Sequence, residues 1–126
     1  MRFSRVLLFV LLSGLPAKAE TPNLDVGRGV LCDTAQEVER FVALRSDGKE
    51  AAVALQTVNK EAPGAAACNF VFVMFTGSKA ISELSVNGRP VSILQITVHA
   101  FGDGSAWRQV PAIVRYTAAA EEGVLI

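Results

Sequence analysis

The chain has 126 residues, of which 51% are hydrophobic, and carries twelve basic and twelve acidic side chains for a formal charge of zero. A balanced charge without a basic cluster excludes the electrostatic footprint of a nucleic-acid binder and of a polybasic membrane-surface segment. The single histidine, His99, is the only candidate for any histidine-based acid–base chemistry.

The first nineteen residues have the three parts of a secretory signal: the basic "MRFSR", an uncharged apolar run of ten at residues 6–15, and "AKA" as an A-x-A cleavage signal. Ten apolar residues are too few to span a bilayer as a helix. A lipid anchor needs a cysteine after "LLSG", where Leu15 stands, so no stable membrane anchor is expected once the signal at 1–19 is cleaved. Cleavage removes Arg2, Arg5 and Lys18, leaving nine basic residues against twelve acidic and a charge of −3. Taking nineteen residues from 126 leaves 107, enough for one core, so residues 20–126 are expected to form a single domain, periplasmic or secreted from a bacterium.

In chain order, "VGRGVL" at 26–31 is either a short strand or an extended arm. Asp33 with Gln36, or Thr34 with Glu37, suits a capping box, and apolar residues then recur at helical spacing, predicting a first helix over 34–45. "SDG" breaks it, and a second helix is predicted over 49–62 with Ala51, Ala54, Leu55 and Val58 on one face, stopped by Pro63-Gly64. The two form an αα-hairpin.

After Cys68, "NFVFVMF" is apolar on both alternating faces, which predicts a strand covered on both sides. The second cover is either another layer of this chain or a partner subunit, which leaves a homodimer open. "TGSK" at 76–79 is read as a turn, "AISELSV" as a strand, and Asn87-Gly88 as a type I′ hairpin turn. "RPVSILQITVHAF" and "SAWRQVPAIVRYT" follow as strands separated by "GDG". The fold class is therefore α+β, an N-terminal αα-hairpin packed on a four-stranded antiparallel meander. Pairing Phe101 with Ser105 puts Leu94, Ile96 and Val98 on one face with Ala112, Val110 and Arg108, and Gln95, Thr97 and His99 on the other with Trp107 and Gln109. Pro111 marks the last strand as an edge or bulged strand.

Two cysteines at the borders of the helical hairpin in an exported chain form a disulfide, Cys32 to Cys68, rather than a redox pair. Closing that loop stabilises by about 4 kcal/mol in the chain-entropy model. Cys32, Cys68 and His99 lack the four closely spaced ligands of structural zinc, so no metal and no cofactor are expected. The sequence contains no Gly-x-Ser-x-Gly elbow, no phosphate-binding glycine pattern and no visible carboxylate pair, so no catalytic residue is named. The candidate binding surface is His99, Trp107, Thr97 and Gln109.

"LCDTAQEVERFVAL", then "VN" at 58–59, then "AAC" at 66–68, then an apolar strand hairpin and a tail with paired glutamates, resembles a group of small exported proteobacterial two-cysteine proteins of unknown function. The resemblance implies export and a disulfide and carries no catalytic residues. The function expected is a non-enzymatic binding or interaction module for a protein or small-molecule partner. Two alternatives are a small hydrolase or ligand-processing domain using His99, and a protease or lysozyme inhibitor presenting the "NGRP" or "GDGS" turn.

Overall fold

A computed structural model describes residues 23–62 and 67–120. The signal expected at 1–19, the Pro63-Gly64 stop and the glutamate pair at 121–122 lie outside the described residues. The chain runs β1 (Asp25–Cys32), α1 (Ala35–Ser46), α2 (Ala51–Glu61), β2 (Cys68–Val86), β3 (Arg89–Gly102) and β4 (Trp107–Ala119). It is an α+β fold of two helices and a four-stranded antiparallel sheet that curls into a closed ring in the order β1-β2-β3-β4.

Of the two caps available to α1, Thr34 takes the position. Its Oγ1 accepts from the Glu37 N–H at 3.2 Å, and the Glu37 carboxylate accepts from the Thr34 N–H at 3.0 Å. Asp47 ends the helix, and Gly48, at φ 90°, turns the chain toward α2. Arg40 and Glu61 form a two-pronged pair at 3.0 Å between the helices on their exposed side. Val38, Phe41, Val42 and Leu44 of α1 and Ala54 and Val58 of α2 are buried against Val30, Cys32, Cys68, Val91, Ile93 and Ala118. The Phe41 ring meets Phe70 edge-on, 5.5 Å between centroids.

Every one of those sheet residues is on the same side of its strand, here the outer face. The alternate positions form a second core inside the ring: Leu31, Val73, Phe75, Ile96 and Val98, with Val71, Leu94, Phe101, Val110 and Ile113 packed around them. The all-apolar run after Cys68 is covered on both sides only in part: Val71, Val73 and Phe75 pack in the inner core and Phe70 against the helices, whereas Phe72 and Met74 are half-buried and belong to neither core.

Three expectations change. First, 76–79 is not a chain reversal. The strand continues as β2 to Val86, with register shifts after Met74, Thr76 and Ala80, and Gly77 sits at φ 68°. A glycine at positive φ serves a β-bulge as well as a turn, and here it bends a long strand. Second, the fourth strand is the segment before the helices: β1 pairs along its whole length with the first half of β2, from Asp25 opposite Phe75 to Cys32 opposite Cys68. Third, β4 is shifted against β3. Phe101 faces Arg108 rather than Ser105, and beyond Val98 the pairs become Val98–Ile113 and Ile96–Arg115. The slip arises where residues 110–112, including Pro111, bulge opposite His99, because proline cannot donate to the ladder.

The Cys32–Cys68 disulfide is formed. Its Cα atoms are 4.1 Å apart on directly opposed residues, and both side chains are almost fully buried. Such a bond fits an oxidising compartment. Asn87 and Gly88 have φ of 54° and 80°, the two left-handed positions of a type I′ turn, between β2 and β3. No helix among the described residues is long and apolar enough to cross a membrane.

Candidate functional site

The ring closes by a single pair, Cys32 opposite Tyr116. Beside it the buried Thr117 hydroxyl donates to the Val30 carbonyl at 2.6 Å, which seals the seam on one side. On the other side the wall stays open. Residues 107–115 of β4 pair only with β3, and β3 stops at Gly102 opposite Phe72, so residues 68–71 of β2 pair only with β1. Between these two edges lies a cleft of about 590 Å³.

Leu31, Val71 and Phe101 form its apolar floor, Asn69 adds an amide, and Trp107 stands at its wall; Asp33, Asp103, Arg108 and Arg115 surround it. Strand alternation explains why apolar residues reach this opening: Leu31, Val71 and Phe101 are inner-face residues at the unclosed end of the ring. The same alternation puts both arginines on that face. Arg108 is opposite Phe101 and Arg115 opposite Ile96, whose neighbours inside the ring are valines and isoleucines. Arg115 Nε is 3.3 Å from Asp33 Oδ1, and its Nη1 donates to the Val114 carbonyl at 2.9 Å. Arg108 is exposed and carries no ion pair among the described residues.

The far wall is a rigid turn. Asp103 Oδ1 accepts from the Ser105 N–H at 2.9 Å, the Ser105 hydroxyl at 2.8 Å and the Ala106 N–H at 3.1 Å. These donors hold its carboxyl below the usual aspartate range. Trp107 lies over Gly102: a Cβ there would stand 2.9 Å from both the indole ring and the Ala106 carbonyl, so the glycine makes room for the ring.

Of the four residues expected to form a binding surface, only Trp107 lines the cleft. Thr97 is opposite Val114, and Gln109 is exposed opposite Ala100. His99 lies at the bulge, where its Nε2 and Thr76 Oγ1 share a hydrogen bond of 2.9 Å. Neither His99–Trp107 nor Thr97–Gln109 is a cross-strand pair. Asp103, the carboxylate nearest His99 in sequence, is bound within its own turn.

Sequence reasoning missed Arg115, Asp33, Asn69 and Leu31 as cleft residues. A signal was present in Arg108, which alternation already placed on the apolar face with Leu94, Ile96 and Val98: a charge in an apolar row marks either a slip or a site. It also missed Asn59, whose side chain accepts from the Ala67 and Cys68 N–H groups, each at 2.8 Å, and donates to the Cys68 carbonyl at 3.0 Å. Asn59 thus stands in for the missing neighbour strand at the start of β2. No group of three or more His, Cys, Asp or Glu side chains among the described residues is placed to hold a metal ion.

No family model matches this chain, and the searches of curated proteins and of solved structures found no match to it.

Proposed function

We propose that this is an exported, periplasmic binding module without catalytic activity, whose ligand site is the cleft at the open end of the ring. The observation that carries the reading is the opening of the inner face: a cleft of about 590 Å³ is lined by the half-buried Val71 and Phe101 and reaches the buried Leu31. An apolar floor with a few polar groups around it, at the mouth of a small barrel, is the usual make-up of a small-molecule site, and the volume falls within the ordinary range of such sites. Rigidity around the gap supports the same reading. The disulfide, the Asn59 clamp and the Asp103 turn each fix one border before any ligand arrives.

A binding role is favoured over the hydrolase reading because His99 shares its hydrogen bond with Thr76 and does not line the cleft. The buried disulfide and the apolar run at 6–15 support export.

Trp107 is the only tryptophan of the chain and stands at the cleft wall, so its emission reports occupancy directly. Titration of the disulfide-bonded protein with the neutral apolar dye Nile red is expected to quench Trp107 with saturable, one-site behaviour. Replacing Val71 by Asp is expected to abolish the response. If quenching were linear and unsaturable, and the Val71→Asp protein behaved like the parent, the cleft would not be a binding site.

A further inference from the structure

We infer that the ligand of this cleft is a carboxylate on an apolar tail, and that its carboxylate takes the place now held by Asp33 on Arg115. The inference rests on the binding reading above and specifies its ligand.

Arg115 projects from the inner face of β4, opposite Ile96, and its side chain keeps only 30% of its exposure. A guanidinium so placed needs a counter-charge, because desolvation without one is costly. Asp33 supplies it, but through a single contact of 3.3 Å to Nε, while Nη1 is turned back to the Val114 carbonyl. That is weaker than the two-pronged pairing the guanidinium fork can make, which Arg40 and Glu61 achieve at 3.0 Å elsewhere in the same molecule. The Asp33 carboxylate is itself 57% exposed, so it can be released to water at little expense.

Arg108 is the second cation on this wall, on the same inner face. The other acid of the cleft, Asp103, already uses Oδ1 for three donors of its own turn. Asp33 is thus the cleft carboxylate not fixed within a turn, and Arg108 lines the same cleft without an ion pair among the described residues. An incoming carboxylate lets Arg115 keep a counter-charge and gives Arg108 access to it. Below them, Leu31, Val71 and Phe101 receive the tail. Asp33 acts as an internal stand-in for the ligand, which makes it a competitor as well as a partner.

The test compares carboxylates with uncharged analogues on the full exported protein, read by Trp107 emission. Decanoate is expected to bind at least about tenfold tighter than decan-1-ol, since a hydrogen-bonded charge contributes that much or more. Arg115→Gln is expected to remove this preference and Arg108→Gln to reduce it. Asp33→Asn is expected to tighten decanoate several-fold and leave decan-1-ol unchanged, a gain that damage to folding would not produce. A parallel arm uses an apolar tripeptide with a free or an amidated C-terminus. Preference for the free acid there, with decanoate silent, keeps the carboxylate and identifies its source as a peptide end. Equal binding of decanoate and decan-1-ol, with no preference between the peptides, overturns the carboxylate and leaves the cleft as a binding site. Absence of binding by every probe overturns both.

Discussion

Asn59→Ala is the substitution whose consequence is best defined by the geometry. The carboxamide makes three hydrogen bonds of 2.8 to 3.0 Å to the main chain of Ala67 and Cys68, at a half-buried position. Hydrogen bonds of this kind contribute about 1 kcal/mol each net of water, and about 3 kcal/mol would be lost if nothing replaced them. Water reaches part of the site, so a loss of about 2 kcal/mol is expected, a substantial share of a domain stability of about 5 to 15 kcal/mol. The assay is urea unfolding of the disulfide-intact protein by far-ultraviolet circular dichroism. The midpoint should fall by about 1 M with an unchanged slope. Asn59→Asp keeps an acceptor for the two N–H groups but sets a carboxylate against the Cys68 carbonyl, and should fall between Ala and the parent. A loss under about 0.5 kcal/mol for Ala would mean that the disulfide alone holds the start of β2, and the role given to Asn59 would be wrong.

Replacing both cysteines by serine should cost about 4 kcal/mol in the same assay, and native protein should release no thiol to a disulfide-exchange reagent before unfolding, because Cys32 and Cys68 are 1% and 0% exposed. Gly102→Ala places a methyl 2.9 Å from the Trp107 ring and the Ala106 carbonyl, so it should cost about 1 to 3 kcal/mol and shift Trp107 emission to the red; unchanged emission would contradict the packing described. Asp103 has a folded-state pKa below its unfolded value, so its contribution is present above about pH 4 and is lost as pH falls through the folded value. Asp103→Asn keeps the acceptor and removes the titration. Its stability should therefore fall less steeply than the parent's below about pH 4, and parallel profiles would refute the assignment.

What the sequence made legible was local or covalent. The Thr34–Glu37 box, the Asn87-Gly88 turn and the Cys32–Cys68 bond each depend on residues near in the chain or on a count of two. What it concealed was pairing at a distance. "TGSK" and "GDG" carry the same glycine signal, yet the first bends β2 and the second reverses the chain, because only in the first does a continuing apolar pattern find the same neighbour strand on both sides of the bend. "VGRGVL" lacks strand propensity in its glycines and becomes a strand because β2 offers it a complete edge. The Pro111 bulge was visible as a residue type, but the size of its register slip depends on His99 and on residues 110–112 together. That slip is also why the expected His99–Trp107 surface dissolves and the arginine-lined cleft takes its place.

The cleft follows from the order of the elements. A strand placed before the helices must return to the sheet at its first edge, and the disulfide at its end fixes that return at Cys68. β1 then ends where α1 begins, so it meets β4 at one residue pair and cannot cover the rest of that edge. Open strand edges invite unwanted pairing, and here most of the exposed edge of β2 is already occupied. Asn59 fills the main-chain groups of Cys68, and Gly102 pairs with Phe72. Alternation leaves the Phe70 main chain as the one intervening set on that edge, a gap too short to template another strand yet beside a cleft wide enough for a small ligand. The opening thus combines an accessible apolar interior with a β2 border whose main chain is mostly occupied, while residues 107–115 of β4 form its other, unpaired border.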